Sequence, residues 1–363
     1  MDDACKIILS KHLLDFNFPA GTSRGVLRQK KLWILELTYQ GKTGKGECSV
    51  IEGLTPEFLD DSSYEKRLLE HITVLEKCTL SPKEILQDLL QILPELLYQP
   101  SMRCGLEMAL FDWLSPIPEV IFDNAFARGK QAISINGLIW MGDHPWMQQQ
   151  VERKIAEGYR ILKFKIAALP WEEEWNLLKA VRDRFPADQL TLRVDANGGF
   201  QEPEVFERFM QLQSLDVHSI EQPVAPKHRA LLKDLSEQNR VPVALDESLI
   251  DCYTSEQQQQ ILEEIKPQFI ILKPSLHGGF SGVSIWIQLA EERGIGWWIT
   301  SALESNIGLN AIAQFAGNYP LSLAQGLGTG GLFVDNFPTL LELKGPSLFH
   351  HLPEIGARDS QFE

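Results

Sequence analysis

Apolar and polar positions follow two different rhythms along this chain. Over residues 1–125, "CKIILSKHLLDFNF" and "KKLWILELTYQGKTGKGECSV" alternate with the period of two that half-buried antiparallel strands require, and "QGKTGKG" carries turn residues between them. Helical spacing follows in "SPKEILQDLLQILPELL", with Ser81 placed to act as N-cap, and in "SMRCGLEMALFDWLS". Strands followed by helices predict an α+β domain.

From residue 126 short apolar runs alternate with amphipathic helices. The predicted strands are "AISINGLI", "RILKFKI", "LTLRVDAN", "VHSIEQP", "VPVALDES", "QFIILKP", "GWWITSAL" and "PLSLAQGL". Helical stretches between them include "PWEEEWNLLKAVRDRF", "PEVFERFMQLQSL" and "FSGVSIWIQLAEERG", and the short glutamine run 257–260 reads as part of another. Val205, Phe206, Phe209 and Met210 share one helical stripe, which predicts a core-facing side. Eight strands alternating with helices predict a modified TIM (β/α) barrel over 126–334, in the α/β class, with 1–125 as an α+β N-terminal capping domain that 335–363 completes. A doubly wound open sheet would carry a Gly-rich phosphate turn after its first strand, and none follows "AISINGLI".

Charge enters the barrel in one place. "RILKFKI" puts Lys163 and Lys165 two apart, so both face one side of a strand. An exposed edge strand would explain them blandly. Later strands, however, end in Asp195 ("VDAN"), Glu221 ("IEQP"), Asp246 ("LDES") and Lys273 ("LKP"), each about 25–30 residues after the last, roughly one βα unit. A lone Asp after a strand is usually a turn former or helix cap; five such residues ordered Lys, acid, acid, acid, Lys share the C-terminal rim of a barrel, where barrel enzymes do chemistry. Three adjacent carboxylates repel unless a cation sits among them, and oxygen ligands suit a hard divalent ion, Mg2+ with Mn2+ as a possible substitute. A metal flanked by lysines points to proton abstraction beside a carboxylate. Lys163 and the metal are expected to lower the pKa of Lys165 and make it a usable base, while Lys163 itself holds the substrate carboxylate.

The net charge of −15 argues against nucleic acid and anionic membrane surfaces, and leaves a small carboxylate substrate as the expected partner. No apolar run approaches the roughly 18 residues that span a bilayer, and the acidic N-terminus is not that of a signal peptide. Five scattered cysteines without CxxC spacing suit reduced, structural thiols, so a cytoplasmic location is expected. The eight histidines show no metal-ligand spacing, and the oligomeric state stays open.

"KFK", "VDAN", "EQP", "LDES" and "LKP", in this order and spacing, resemble the enolase superfamily, specifically its muconate-lactonizing-type subgroup, over essentially the whole chain. The resemblance implies Lys165 as acid/base, Asp195, Glu221 and Asp246 as magnesium ligands, and Lys273 as the lysine across the ring. The S-x-x-E-S-x-I-G pattern from Ser301 and the ending "GLGTGGLF" resemble the o-succinylbenzoate synthases of that subgroup, and no Asp-x-Asp of the dipeptide epimerases follows the eighth strand. The implied reaction is dehydration of 2-succinyl-6-hydroxy-2,4-cyclohexadiene-1-carboxylate to o-succinylbenzoate, a step toward menaquinone or phylloquinone. Lys165 would take the α-proton and protonate the departing hydroxyl on the same face. Ser301, Gly328 and Gly330 would offer donors to the succinyl carboxylate. Arg193 either supports Lys165 and the acid shell or is a surface residue, and Asn197 either bonds near the metal or forms a turn. "FPAGTSRG", residues 18–25, is a lid over the barrel mouth or a simple connector, and Glu47 of "GKGECSV" is given no catalytic role. Two alternatives remain: an N-succinylamino acid racemase on the same scaffold, and a non-catalytic binding protein, which would have lost at least one of the five rim residues.

Overall fold

In a computed structural model describing residues 5–22 and 25–352, the chain folds into a capping domain and a barrel. Strands β1 (Lys6–Thr22), β2 (Gly25–Tyr39) and β3 (Lys42–Val50) form an antiparallel sheet in that order. Its inner face packs Trp33, Leu35 and Leu37 on Tyr64, Leu68 and Leu106 from the helices Asp61–Lys77 and Pro100–Leu114. Helix and sheet approach closely because the contact residues lack side chains: a Cβ on Gly46 would lie 1.9 Å from the Gly105 carbonyl oxygen. Ser81 caps a helix as expected, through a capping box with Glu84, but that helix ends at Gln87 and the "LQILPELL" segment breaks into shorter turns.

After β4 (Ile133–Ser134), the strands β5 (Gly137–Ile139), β6 (Ile161–Lys165), β7 (Thr191–Asp195), β8 (Ser219–Glu221), β9 (Val243–Leu245), β10 (Phe269–Leu272) and β11 (Gly296–Ile299) follow, and β5–β11 lie parallel in sequence order. Runs such as "VAL" and "FIIL" are buried almost throughout, as strands covered on both faces require. Helices such as Trp171–Arg184, Val205–Ser214 and Gly279–Glu292 lie between successive strands. On the second of these Val205 and Phe209 are buried, but Met210 is exposed, so the expected apolar stripe is narrower than its spacing suggests.

Two predicted strands differ. "AISINGLI" splits at Asn136, its first half pairing elsewhere and its second half joining the barrel as β5. "PLSLAQGL" forms no extended strand. It contributes only the bridges Gln325 to Ile135 and Gly326 to Thr300, which carry backbone bonding across the gap between β11 and β5. Pro320, lacking an N–H, suits a segment that pairs at so few positions. The C-terminal hairpin, β12 (Leu341–Lys344) and β13 (Ser347–His350), pairs with β4 at the start of the barrel, while Phe337 ahead of it packs against His12 of the capping sheet.

The two domains meet at the barrel mouth. Phe18 lies against Trp140 and Trp146, with ring centroids 5.6 and 5.7 Å away, and Gly21 bridges to Met141. The stretch read as a lid or a connector, from Phe18 on, belongs to the end of the β1–β2 hairpin, and its Ser23 and Arg24 lie outside the described residues. Gly46→Ala should cost at least about 2 kcal/mol by overpacking β3 on its helix. Urea denaturation would read this, and a loss below a few tenths would contradict the close approach.

Candidate active site

Barrel register decides which side chains meet. Lys165 is the ladder partner of Asp195, and Asp195 of Glu221, so three charges from adjacent strands stand at one level. Glu221 pairs with Ala244, two residues before Asp246. In an eight-stave ring β6 and β10 face each other, which puts Lys163 and Lys165 opposite Lys273 with the three acids between.

The contacts are direct. Lys163 Nζ lies 2.9 Å from Asp195 Oδ2 and 2.7 Å from Glu221 Oε2. Lys165 Nζ donates to the same Asp195 oxygen at 2.7 Å and to Asn197 Oδ1 at 2.8 Å. Lys273 pairs with Asp246 Oδ2. Asn197, with φ at 44°, also donates through Nδ2 to Glu247 Oε1 at 3.0 Å, which fixes its amide. His277 Nδ1 accepts the Lys273 backbone N–H at 2.9 Å and so ties down the start of the loop after β10.

These pairings act on the buried charges themselves. Burial pulls the Lys163 ammonium down, but Asp195 and Glu221 overcome it and raise its pKa above the ordinary lysine value. Burial likewise opposes the Lys273 charge, while Asp246 and Glu221 raise it. The lysine doublet does not depress Lys163, because the carboxylates stand nearer to it than the second ammonium does in energetic effect. Burial resists ionisation of Asp195, yet Lys163 and Lys165 hold its carboxyl well below the usual range. Glu221 goes the other way: burial, then the Asp195 charge, push it up to about 8.

The acids therefore do not need a metal merely to avoid repulsion. Among the described residues no three His, Cys, Asp or Glu side chains gather into a metal-holding group, and Lys163 bonds to both Asp195 and Glu221. The donor chemistry nevertheless fits a hard divalent cation. All three acids offer oxygens only, and buried Glu221 Oε1 and Asp246 Oδ1 have no hydrogen-bond partner.

A cavity of about 990 Å³ opens over this rim and continues along the 144–156 helix. Lys163, Lys165, Asn197, Lys273, Ser301 and Gly328 line it, as does Phe18 from the capping domain. Arg193 does not. It is 2% exposed, its guanidinium carbon lies 4.1 Å from the Trp298 ring centroid, and it donates to the Ala324 carbonyl at 2.9 Å, one layer beneath the acids. Gly330 sits behind the lining, where its carbonyl accepts from Asn336, while Gly326 and Gly331 reach the cavity instead. Ser301 donates its only hydroxyl proton to Glu304 Oε2 at 2.6 Å, so it is not the free donor its position suggested. Three lining residues were missed, Asn136, Thr300 and Thr329, whose side-chain oxygens are themselves buried without a partner. Their only sequence signal is a polar residue at or just after a strand end. Cys104 and Cys252 are buried with thiols pushed up by burial, Cys252 to about 11, as expected of inert cysteines.

A parallel barrel with lysines on facing staves and three acids between them defines a (β/α)-barrel acid/base enzyme. Residues 146–337 match the family described as Enolase C-terminal domain-like, and the chain belongs to the enolase superfamily. It is 42% identical over 351 residues to the o-succinylbenzoate synthase of Desulfotalea psychrophila, covering 92% of this chain and 95% of that one. The crystal structure of MenC from the same organism superposes with a TM-score of 0.84 at 37% identity, covering 95% of this chain and 99% of that one. The N-succinylamino acid racemase of Thermus thermophilus is 31% identical over 308 residues, 81% of this chain and 77% of that one.

Asn197→Ala should leave the fold intact and lower kcat by about 10- to 100-fold, the usual penalty for a misplaced reacting group. Steady-state kinetics beside a thermal melt would test it, and an unchanged kcat would remove Asn197 from the orientation of Lys165.

Proposed function

We propose that this chain is an o-succinylbenzoate synthase, dehydrating 2-succinyl-6-hydroxy-2,4-cyclohexadiene-1-carboxylate to o-succinylbenzoate. The observation that carries the reading is the cavity-facing pair of lysine sites on opposite staves, with Lys165 held between Asp195 and Asn197. Identity to the Desulfotalea psychrophila enzyme across nearly both chains supports the substrate.

Lys165, as the free amine, takes the α-proton of the ring carbon beside the carboxylate. The electron pair left behind moves toward the carboxylate oxygens, and the enediolate so formed expels the hydroxyl from the neighbouring carbon. The Lys165 ammonium returns its proton to that hydroxyl, water leaves, and the ring becomes aromatic. One lysine serves both transfers because both bonds lie on one face. Lys273, on the opposite stave, places positive charge across the ring and stabilises the enediolate. Lys163 holds Asp195 and Glu221 close together, and would meet the substrate carboxylate. Asp195, Glu221 and Asp246 would hold Mg2+, or Mn2+ in its place, and that cation would supply positive charge to the developing dianion. Asn136, Thr300, Gly328 and Thr329 line the part of the cavity that would take the succinyl arm.

Racemisation of N-succinylamino acids needs the same metal and two bases on opposite faces, which Lys165 and Lys273 also provide. The 31% identical racemase makes this the second reading. Among the described residues no helix is long and apolar enough to cross a membrane. With all five cysteines free, a cytoplasmic, small-molecule enzyme is the consistent setting.

Purified protein supplied with Mg2+ should consume the diene, followed by loss of its absorbance, and Lys165→Ala should lower the rate by about 10³-fold or more. Chelation should abolish turnover and added Mg2+ restore it. A folded, Mg2+-supplied protein that leaves the diene intact but racemises N-succinylamino acids would transfer the assignment to the second reading.

A further inference from the structure

Three charged side chains outside the reaction rim are buried where the capping sheet meets the loops after β10 and β11. Lys30 on β2 is 3% exposed, and Glu47 on β3 and Glu304 after β11 have no exposure. Lys30 Nζ donates to the carbonyls of Val50 and Ala302, each at 2.9 Å. Glu47 reaches from the capping sheet to the start of the barrel helix Asn306–Ala316, accepting from the Ser305 N–H at 3.0 Å, the Gly308 N–H at 2.9 Å and the Ser305 hydroxyl. Glu304 accepts from Ser301 Oγ and from Ser275 Oγ, both at 2.6 Å, and Ser275 is two residues beyond Lys273.

The bonded backbone leads straight to the cavity. Ile51 and Leu54 follow Val50, and Ser301 and Leu303 flank Ala302; these four residues and Ala302 line the cavity wall, and Val50 stands just behind it. One wall thus comes from the capping domain and the other from the barrel, and a single ammonium bonds the two. Apolar contact is already present at this seam, where Ile51 and Leu54 pack on Ile250, Leu276 and Ala302. Burying a lysine and two carboxylates beside it costs desolvation that more apolar packing would not, so cohesion alone is a poor reason for them. What they add is direction, because an ammonium and a carboxylate fix the carbonyls and N–H groups they bond. Burial pulls the Lys30 ammonium down to about 8, opposed by Glu304 and Glu47, so it still carries its proton at neutral pH.

We propose that Lys30 and Glu47 are positioning residues that set the separation of the two cavity walls, so that substrate binding, rather than proton transfer, depends on them. This explains the S-x-x-E-S-x-I-G pattern in physical terms. Ser301 and Glu304 bond each other, while Ser305 and Gly308 receive Glu47 from the other domain.

The kinetic half of the test rests on the synthase reading; the exchange half does not. In Lys30→Met, and separately in Glu47→Gln, KM should rise about tenfold or more with kcat within about threefold, the signature of lost uniform binding. Hydrogen exchange without substrate should quicken at residues 51–55 and 301–308 and stay unchanged in the β6–β10 strands. Should Lys30→Met fail to fold, Glu47→Gln supplies both readings. Variants that keep wild-type exchange in those segments and a wild-type KM overturn the proposal, as does a fall in kcat at constant KM. If the wild-type protein itself does not turn over the diene, the synthase reading falls, and exchange at the two segments alone decides for or against the coupling of the walls.

Discussion

Burying like charges is the constraint on which this barrel depends. Asp195, Glu221 and Asp246 are almost entirely withdrawn from water, and each buried carboxylate carries a desolvation penalty of several kcal/mol unless it is paired. Three ammonium groups reach them from strands on either side, and the pairing is only as good as the register that aligns it. Because side chains alternate along a strand, a slip of one residue on β6, β7 or β8 would send its charge out into the helix layer. The uninterrupted apolar runs beneath the rim, "VAL" in β9 and "FIIL" in β10, keep those strands buried on both faces and so hold the level. Arg193 shows how demanding the interior is. Its guanidinium is accommodated one layer down only by stacking on Trp298 and bonding the Ala324 carbonyl, and burial still draws its pKa down to about 10.

Above the rim the same physics recurs between domains. The capping sheet supplies Phe18 to the aromatic group with Trp140 and Trp146, and it supplies Glu47 as the anionic cap of a barrel helix. A helix N-terminus attracts a carboxylate wherever that carboxylate comes from, and here it comes from the other domain. The cavity is therefore a property of the assembled pair of domains, with one wall on each.

Much of this was legible in the chain. Lys165, Asp195, Glu221, Asp246 and Lys273 recur once per βα unit, and a parallel barrel converts such a recurrence into a shared level whatever the loops do. The alternation of apolar runs and amphipathic stretches likewise marked both domains. Less legible was anything set by a distant partner. "PLSLAQGL" reads as a strand from composition but bonds at only two bridges, and "AISINGLI" serves two sheets because the C-terminal hairpin claims its first half. Met210 has helical spacing for the core and yet lies exposed.

Electrostatic direction was the least legible of all. Two lysines on one strand face suggest repulsion, but at Lys163 the carboxylates of neighbouring strands outweigh both burial and the second ammonium. A serine at a strand end suggests a free donor, but Glu304 takes the Ser301 proton. The chain by itself determined the strand–helix rhythm, the five charged rim positions and their common level, because periodicity and spacing are local properties of a sequence. Only the tertiary structure decided which charges pair, which buried polar atoms go without a partner, and which domain caps which helix. Those depend on distances between residues far apart in the chain, and in a low-dielectric interior a few ångströms settle the sign of an interaction.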